Sequence, residues 1–130
     1  MFNYDREKLE SCCLSQNVSL VVLHGSYARG TATAASDVDI GFMSKSKGGR
    51  PDFFDTFSVL ADIFGDKCDP VVLNGAESMI AYHVAVNGKP LYEAKPGTFA
   101  EFKVSAISRY QDTKKFRVLE KEYLKRITGE

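Results

Sequence analysis

The chain has too few cysteines, and in the wrong places, to be held together by them. There are three, and two of them, Cys12 and Cys13, are neighbours. An odd number so placed gives no disulfide framework and no zinc-ligand spacing, so Cys12, Cys13 and Cys68 read as reduced packing thiols. Long apolar runs are missing as well. None approaches the length needed to cross a bilayer, and the opening Met-Phe-Asn-Tyr-Asp-Arg-Glu has no apolar signal region. No membrane association is expected, and the expected location is cytoplasmic. Net charge is also absent, since seventeen basic residues offset seventeen acidic ones. That balance argues against a protein that tracks nucleic acid over an extended surface, which would normally be basic, but a nucleotide needs only local positive charge. Repeats and low-complexity tracts do not occur. What remains is an ordinary globular composition, 44% hydrophobic and 26% charged, over 130 residues: one core, and a single domain spanning 1–130.

The chain is organised around Gly25-Ser26-Tyr27-Ala28-Arg29-Gly30 and the Ser36-Asp37-Val38-Asp39-Ile40 that follows. The apolar run Val18 to Leu23 leads into the first string and reads as a buried strand. Asp37 to Phe42 alternates polar with apolar, the pattern of a half-buried strand. Residues two apart in a strand share a face with α-carbons about 6.5–7 Å apart, so Asp37 and Asp39 project together while Val38, Ile40 and Phe42 point into a core. Two such carboxylates repel unless a cation sits between them. Mg2+, which is held by one or two carboxylates plus substrate phosphates, is the natural candidate. Gly25 lets backbone pass close to a ligand, and Ser26 with the amides after it, at a helix start, can donate to phosphate oxygens. A glycine turn, a hydroxyl and two carboxylates are what metal-assisted chemistry on a nucleoside triphosphate requires.

Taken singly, a Gly-Ser turn or an Asp-x-Asp is commonplace; their order and spacing between two strands is not. Gly-Ser followed by Asp-x-Asp resembles the signature of the DNA polymerase beta-like nucleotidyltransferases. The longer Gly-Ser-x-Ala-Arg-Gly and Ser-Asp-x-Asp-Ile are similar to the minimal nucleotidyltransferases of that superfamily, as is Gly88-Lys89-Pro90-Leu91-Tyr92-Glu93 before a final helix. The resemblance runs from about Val18 into the C-terminal region. It implies an α/β (α+β) fold, a small mixed sheet with helices packed against it. It also implies a magnesium site of Asp37, Asp39 and a third carboxylate from a neighbouring strand. Asp69, at the entrance to the strand candidate Cys68 to Leu73, is in the matching position and is assigned metal binding and help in deprotonating the attacking hydroxyl; Asp66 is its rival. Gly25 and Ser26 are implied to hold the terminal phosphates of ATP, with Arg29 and Ser36 as further nucleotide-binding candidates, although Arg29 also reads as a brace for its loop. His24 stands where the family carries an apolar residue, and a hydrogen-bonded structural histidine is expected there.

Minimal nucleotidyltransferases of this kind are paired with a helical HEPN-domain ribonuclease toxin, which they neutralise by moving AMP from ATP to a tyrosine. The resemblance implies such an antitoxin. Two other readings compete: a small-molecule nucleotidyltransferase of the antibiotic-modifying type, acting as a homodimer, and a non-catalytic module that sequesters the toxin by contact.

Around this centre, residues 3 to 16 are expected to be a helix capped by Asn3, with Leu9, Cys12 and Cys13 on one side. Tyr27 to Arg29 begin a short helix closed by Gly30. Ser44 to Arg50 form a solvated loop, and Pro51 opens a helix that Gly65 ends and that carries Phe53, Phe57, Leu60, Ala61 and Phe64. Glu77 to Val86 is a further helix, and Lys89 to Glu93 an extended segment with Glu93 as a surface charge. From Thr98 to Ile127 two apolar stripes, Phe99-Phe102-Ala106-Tyr110 and Phe116-Leu119-Tyr123-Ile127, fall out of line. A break or kink is expected at Gln111 to Lys115, and the second half reads either as a surface that meets a partner or a second copy, or as a frayed, charged tail.

Overall fold

The computed structural model describes residues 3–45 and 53–129. Helix α1 (Arg6–Ser15) leads into strand β1 (Val18–His24), the short helix α2 (Gly25–Arg29) and strand β2 (Val38–Ser44). Then come α3 (Phe54–Phe64), β3 (Cys68–Val72), α4 (Ser78–Asn87), β4 (Lys89–Glu93) and the long α5 (Thr98–Thr128). The strands form one mixed sheet in the order β3-β2-β1-β4. β1 pairs antiparallel with β2 and β4, while β2 and β3 are parallel, with α3 in the crossover that parallel neighbours require. The expected α+β architecture is therefore the one found.

β1 is central and covered on both sides, which is why Leu20 to Leu23 read as a continuous apolar run rather than an alternation. On one face Val21, Leu23, Ile40 and Phe42 pack with Leu9 and Cys13 of α1 and Leu60 of α3. Phe53 and Phe57 meet the Phe42 ring edge-on, with centroids 5.5 and 5.7 Å away. On the other face Leu20 and Val22 pack with Leu73, Val84 of α4 and Phe99 of α5. Ala81 and Ala85 of α4 meet Ala106 of α5, and Tyr82 stacks on Tyr110 at 4.0 Å.

Several local expectations hold. Gly30 and Gly65 cap α2 and α3, Leu9, Cys12 and Cys13 are buried, and α4 ends at Asn87 with Gly88 after it. Others are corrected. The cap of α1 is Asp5, whose carboxylate accepts the Lys8 amide at 3.1 Å, and not Asn3. Ser44 closes β2 and is buried, because the Asn74 side chain grips its backbone on both sides at 2.8 and 3.0 Å. Residues 46–52, including the rest of the basic loop and Pro51, lie outside the described residues. Ala61 is exposed and takes no part in the α3 stripe. Glu93 is exposed, yet it caps α5 by accepting the Phe99 amide at 2.9 Å. No break interrupts α5, which is helical through Gln111 to Lys115. Among the described residues no helix is long and apolar enough to cross a membrane.

Candidate active site

Strand register assembles the site. β1 and β2 pair so that His24 stands opposite Asp39, and β2 and β3 pair so that Asp39 stands opposite Asp69. Residues directly opposite in a ladder point to the same face. His24, Asp39 and Asp69 therefore form one row across three adjacent strands. The row shares the face on which Leu20 and Val22 are covered by α4 and α5, but lies at its open end: Asp69 is exposed and Asp39 half-buried. Asp37, exposed, sits one residue ahead of β2, two before Asp39.

The turn between β1 and β2 brings the second component. Gly25 adopts φ +69°, a backbone that side-chain-bearing residues avoid, and a β-carbon there would fall onto the Asp39 carboxylate. The backbone of Gly25 thus passes directly over one carboxylate, as a residue that positions a ligand against it must. Ser26 follows in α2, and its carbonyl accepts the amides of Gly30 and Thr31. Ser36 closes the loop into Asp37 by accepting the Thr33 amide at 2.8 Å, so its hydroxyl is engaged within that loop.

Electrostatics tie these residues together. The Asp39 carboxyl is pushed above its ordinary range, first by burial. His24 pulls it down, the negative charges of Asp69 and Asp37 push it up, and Arg29 pulls it down again. Asp37, Asp69 and Arg29 are thus each within electrostatic reach of Asp39. Cys68, beside Asp69, is pushed up to about 11 by burial and by the same carboxylates. His24 is held below its usual value by burial, against the pull of Asp39 and Asp69. Its Nε2 is closed off from solvent without a hydrogen-bond partner. The expected hydrogen-bonded structural histidine is therefore not what stands here. Sequence reading missed its place in the row, although continuing the β1 period from Leu20 and Val22 by two residues points to it.

The donor set fits a hard cation that shares its ligands with a substrate. Among the described residues, no three His, Cys, Asp or Glu side chains converge closely enough to hold an ion by themselves. The carboxylate oxygens of Asp37 and Asp39, with Asp69 alongside, leave most of the coordination sphere to water and phosphate, the habit of Mg2+ and not of Zn2+. The Asp39 carboxylate, disfavoured first by burial and then by Asp69 and Asp37, is one that a cation would favour. An open cleft of about 990 Å3 lies elsewhere, between α1, the far end of α2 and β4, lined by Tyr4, Arg6, Glu10, Tyr27, Lys89 and Tyr92 among others. It contains none of the carboxylates of the row, so chemistry and not cavity size locates the site.

A carboxylate row beside a Gly-Ser turn on a small mixed sheet defines a nucleotidyltransferase. The chain belongs to the family described as Polymerase beta, Nucleotidyltransferase, which it matches over residues 7–97. Solved structures share the fold. A toxin–antitoxin crystal structure with AMP-PNP superposes with a TM-score of 0.74 at 24% identity, covering 92% of this chain and 98% of that one. An MNT antitoxin in complex with the tri-AMPylated HEPN toxin of Shewanella oneidensis gives 0.68 at 21% identity, over 92% and 94%. A chain of an MntA–HepT toxin–antitoxin structure gives 0.68 at 21%, over 92% and 95%. No curated protein matches the sequence.

Proposed function

We propose that this nucleotidyltransferase moves AMP from ATP to a hydroxyl of a partner protein, a tyrosine of a HEPN-domain toxin, and so acts as its antitoxin. The carrying observation is the register that puts Asp39 opposite Asp69, with Asp37 two residues away and the Gly25 backbone against the Asp39 carboxylate. Structures of the same fold, one with AMP-PNP and one in complex with a tri-AMPylated HEPN toxin, support the donor and the acceptor.

In this reading Asp37 and Asp39 hold Mg2+, and Asp69 shares in a second ion. When bound, such an ion would supply positive charge against the negative charge that develops during in-line transfer. Gly25 and Ser26 hold the terminal phosphates and leave the α-phosphorus turned toward the acceptor. Arg29 supplies positive charge between Asp39 and the phosphates, and Ser36 shapes the nucleotide side by fixing the loop into Asp37. The acceptor oxygen forms a bond to the α-phosphorus, the bond to the β-phosphate oxygen breaks, and pyrophosphate leaves. Asp69, the exposed member of the row, takes the hydroxyl proton.

The test mixes the protein, the product of the neighbouring gene and Mg2+-ATP, and counts added adenylyl groups on the neighbour by intact mass. One or more AMP additions with the wild type, absent with Asp37→Asn, support the reading. Tight complex formation without any addition replaces it with the binding module.

A further inference from the structure

Among the described residues nothing covers the second half of α5. Every residue from 114 to 129 is exposed, in a helix that runs unbroken to Thr128. The last ties of α5 to the body are Tyr110, stacked on Tyr82, and Thr113, whose hydroxyl is 3.4 Å from that of Ser78. Beyond them about 15 residues, roughly 22 Å of helix, stand free. Phe116, Leu119, Tyr123 and Ile127 are between 62% and 69% exposed. At 100° per residue they fall on one stripe, rotated by about a quarter turn from the Phe102-Ala106-Tyr110 face that packs on α4. Four large apolar side chains lined up on one exposed stripe are the kind of surface that a partner covers.

Charge decides what covers it. The segment from Gln111 to Gly129 carries Lys114, Lys115, Arg117, Lys121, Lys125 and Arg126 against Asp112, Glu120 and Glu122, in a chain with no net charge. Lys115 and Arg126 border the stripe on one side and Arg117 on the other. A second copy suits it poorly. A parallel pair would set Arg117 of one copy beside Lys115 of the other, and an antiparallel pair centred on the stripe would bring Lys115 of one copy near Arg126 of the other, on the same flank. An anionic lipid surface would meet Glu120 at the edge of the stripe.

We infer that the free half of α5 docks on an acidic, helical groove of the protein that supplies the acceptor hydroxyl, with Leu119 and Tyr123 as its anchors. An isolated helix offering apolar side chains at i, i+3, i+7 and i+11 is read by such grooves. The inference rests on the reading of the chain as a protein-modifying nucleotidyltransferase. It adds how the acceptor is held: by a helical arm apart from the carboxylates, so that binding and transfer are separable.

The test measures affinity and AMP transfer for the full-length protein and the neighbouring gene product by titration calorimetry and intact mass. Leu119→Glu with Tyr123→Glu is expected to weaken binding by about thirtyfold or more. Lys115→Glu with Arg126→Glu is expected to weaken it about tenfold and to flatten its salt dependence. Unchanged circular dichroism is expected for both, since all four side chains are exposed. Asp37→Asn with Asp39→Asn should bind like the wild type and transfer nothing. If the stripe variants bind as the wild type does, the docking inference falls while transfer still stands. If they lose binding but the aspartate pair variant still transfers AMP, the catalytic reading falls and the docking surface stands. A wild-type chain that sediments as a dimer dissolved by Leu119→Glu overturns the inference. So does binding to phosphatidylserine vesicles that depends on the stripe while toxin binding does not.

Discussion

Gly25 lies against the carboxylate of Asp39 with no space between them for a side chain. The contact joins the two parts of the signature: a left-handed glycine just past the end of β1 and an acid near the start of the neighbouring strand. In the proposed reading this closeness fixes where a phosphate held at the turn lies relative to the acid that would bind its cation.

Gly25→Ala is therefore expected to be far worse than Gly30→Ala, although both glycines have positive φ, +69° and +76°. At Gly30 an added β-carbon meets nothing within 4 Å, so the cost is the backbone strain alone, about 1 kcal/mol. At Gly25 the same strain is joined by displacement of Asp39, for a total of at least about 2 kcal/mol, and transfer drops by about a hundredfold. Chemical denaturation and a single-turnover assay on the two variants check this; equal losses would mean that the contact does not matter.

Asp39→Asn should abolish transfer and yet stabilise the protein in the absence of nucleotide and metal. The folded state raises the Asp39 pKa, chiefly by burial, so it disfavours the carboxylate. A raised acid contributes stability that is fully present below its unfolded pKa, near 3.8, and lost as pH rises through the folded value. The wild type thus carries the penalty at neutral pH and the asparagine variant does not. Thermal melts should show the variant ahead at pH 7, with the gap closing toward pH 3. A wild type that is the more stable at pH 7 would refute the argument.

The motif was legible because its chemistry is local: Gly25-Ser26 and Asp37-Val38-Asp39 stand close in sequence, and the alternation around Val38 and Ile40 shows which way the acids face. Asp69 was legible only through the family resemblance, since its place opposite Asp39 depends on a parallel pairing 30 residues away that no periodicity reveals. The α5 break was a false expectation of another kind. Two stripes out of line suggest a break when both are assumed to pack on the same body. The helix stays continuous because nothing in Gln111 to Lys115 is a helix breaker, and the second stripe is exposed rather than packed on the body. Asn3 lost its capping role to Asp5 because both residue types cap well, and only the observed Lys8 amide bond separates them.

The three thiols should be slow to react in the native protein. Cys12 and Cys13 are buried, and burial raises both; Cys13 is pushed up to about 12, with Cys12 and Glu10 adding to the effect. Cys68 is held at about 11 beside Asp69 and Asp39. Thiolate, the reactive form, is therefore scarce at pH 7.5. Labelling with a disulfide reagent should release little colour until denaturant is added and then titrate three groups. Rapid native labelling of one thiol would place it outside this environment.

His24→Phe is expected to raise stability, because it removes a buried nitrogen with no hydrogen-bond partner while keeping a ring of similar size at the end of β1. The gain at pH 8 should be about 1 kcal/mol. It should grow as the solution is acidified, and the sign follows from the direction of the shift. Burial lowers the His24 pKa below 6.5, so the unfolded chain takes up a proton first, and the wild type loses stability as pH falls through 6.5 toward the folded value. The phenylalanine variant has no such loss. Denaturant midpoints from pH 8 to pH 5 would show two curves diverging on the acid side. Transfer should survive in the variant, since a nitrogen sealed from solvent reaches no substrate. Curves that stay parallel, or a variant that folds normally and cannot transfer AMP, would make His24 a working member of the row in which Asp39 and Asp69 stand.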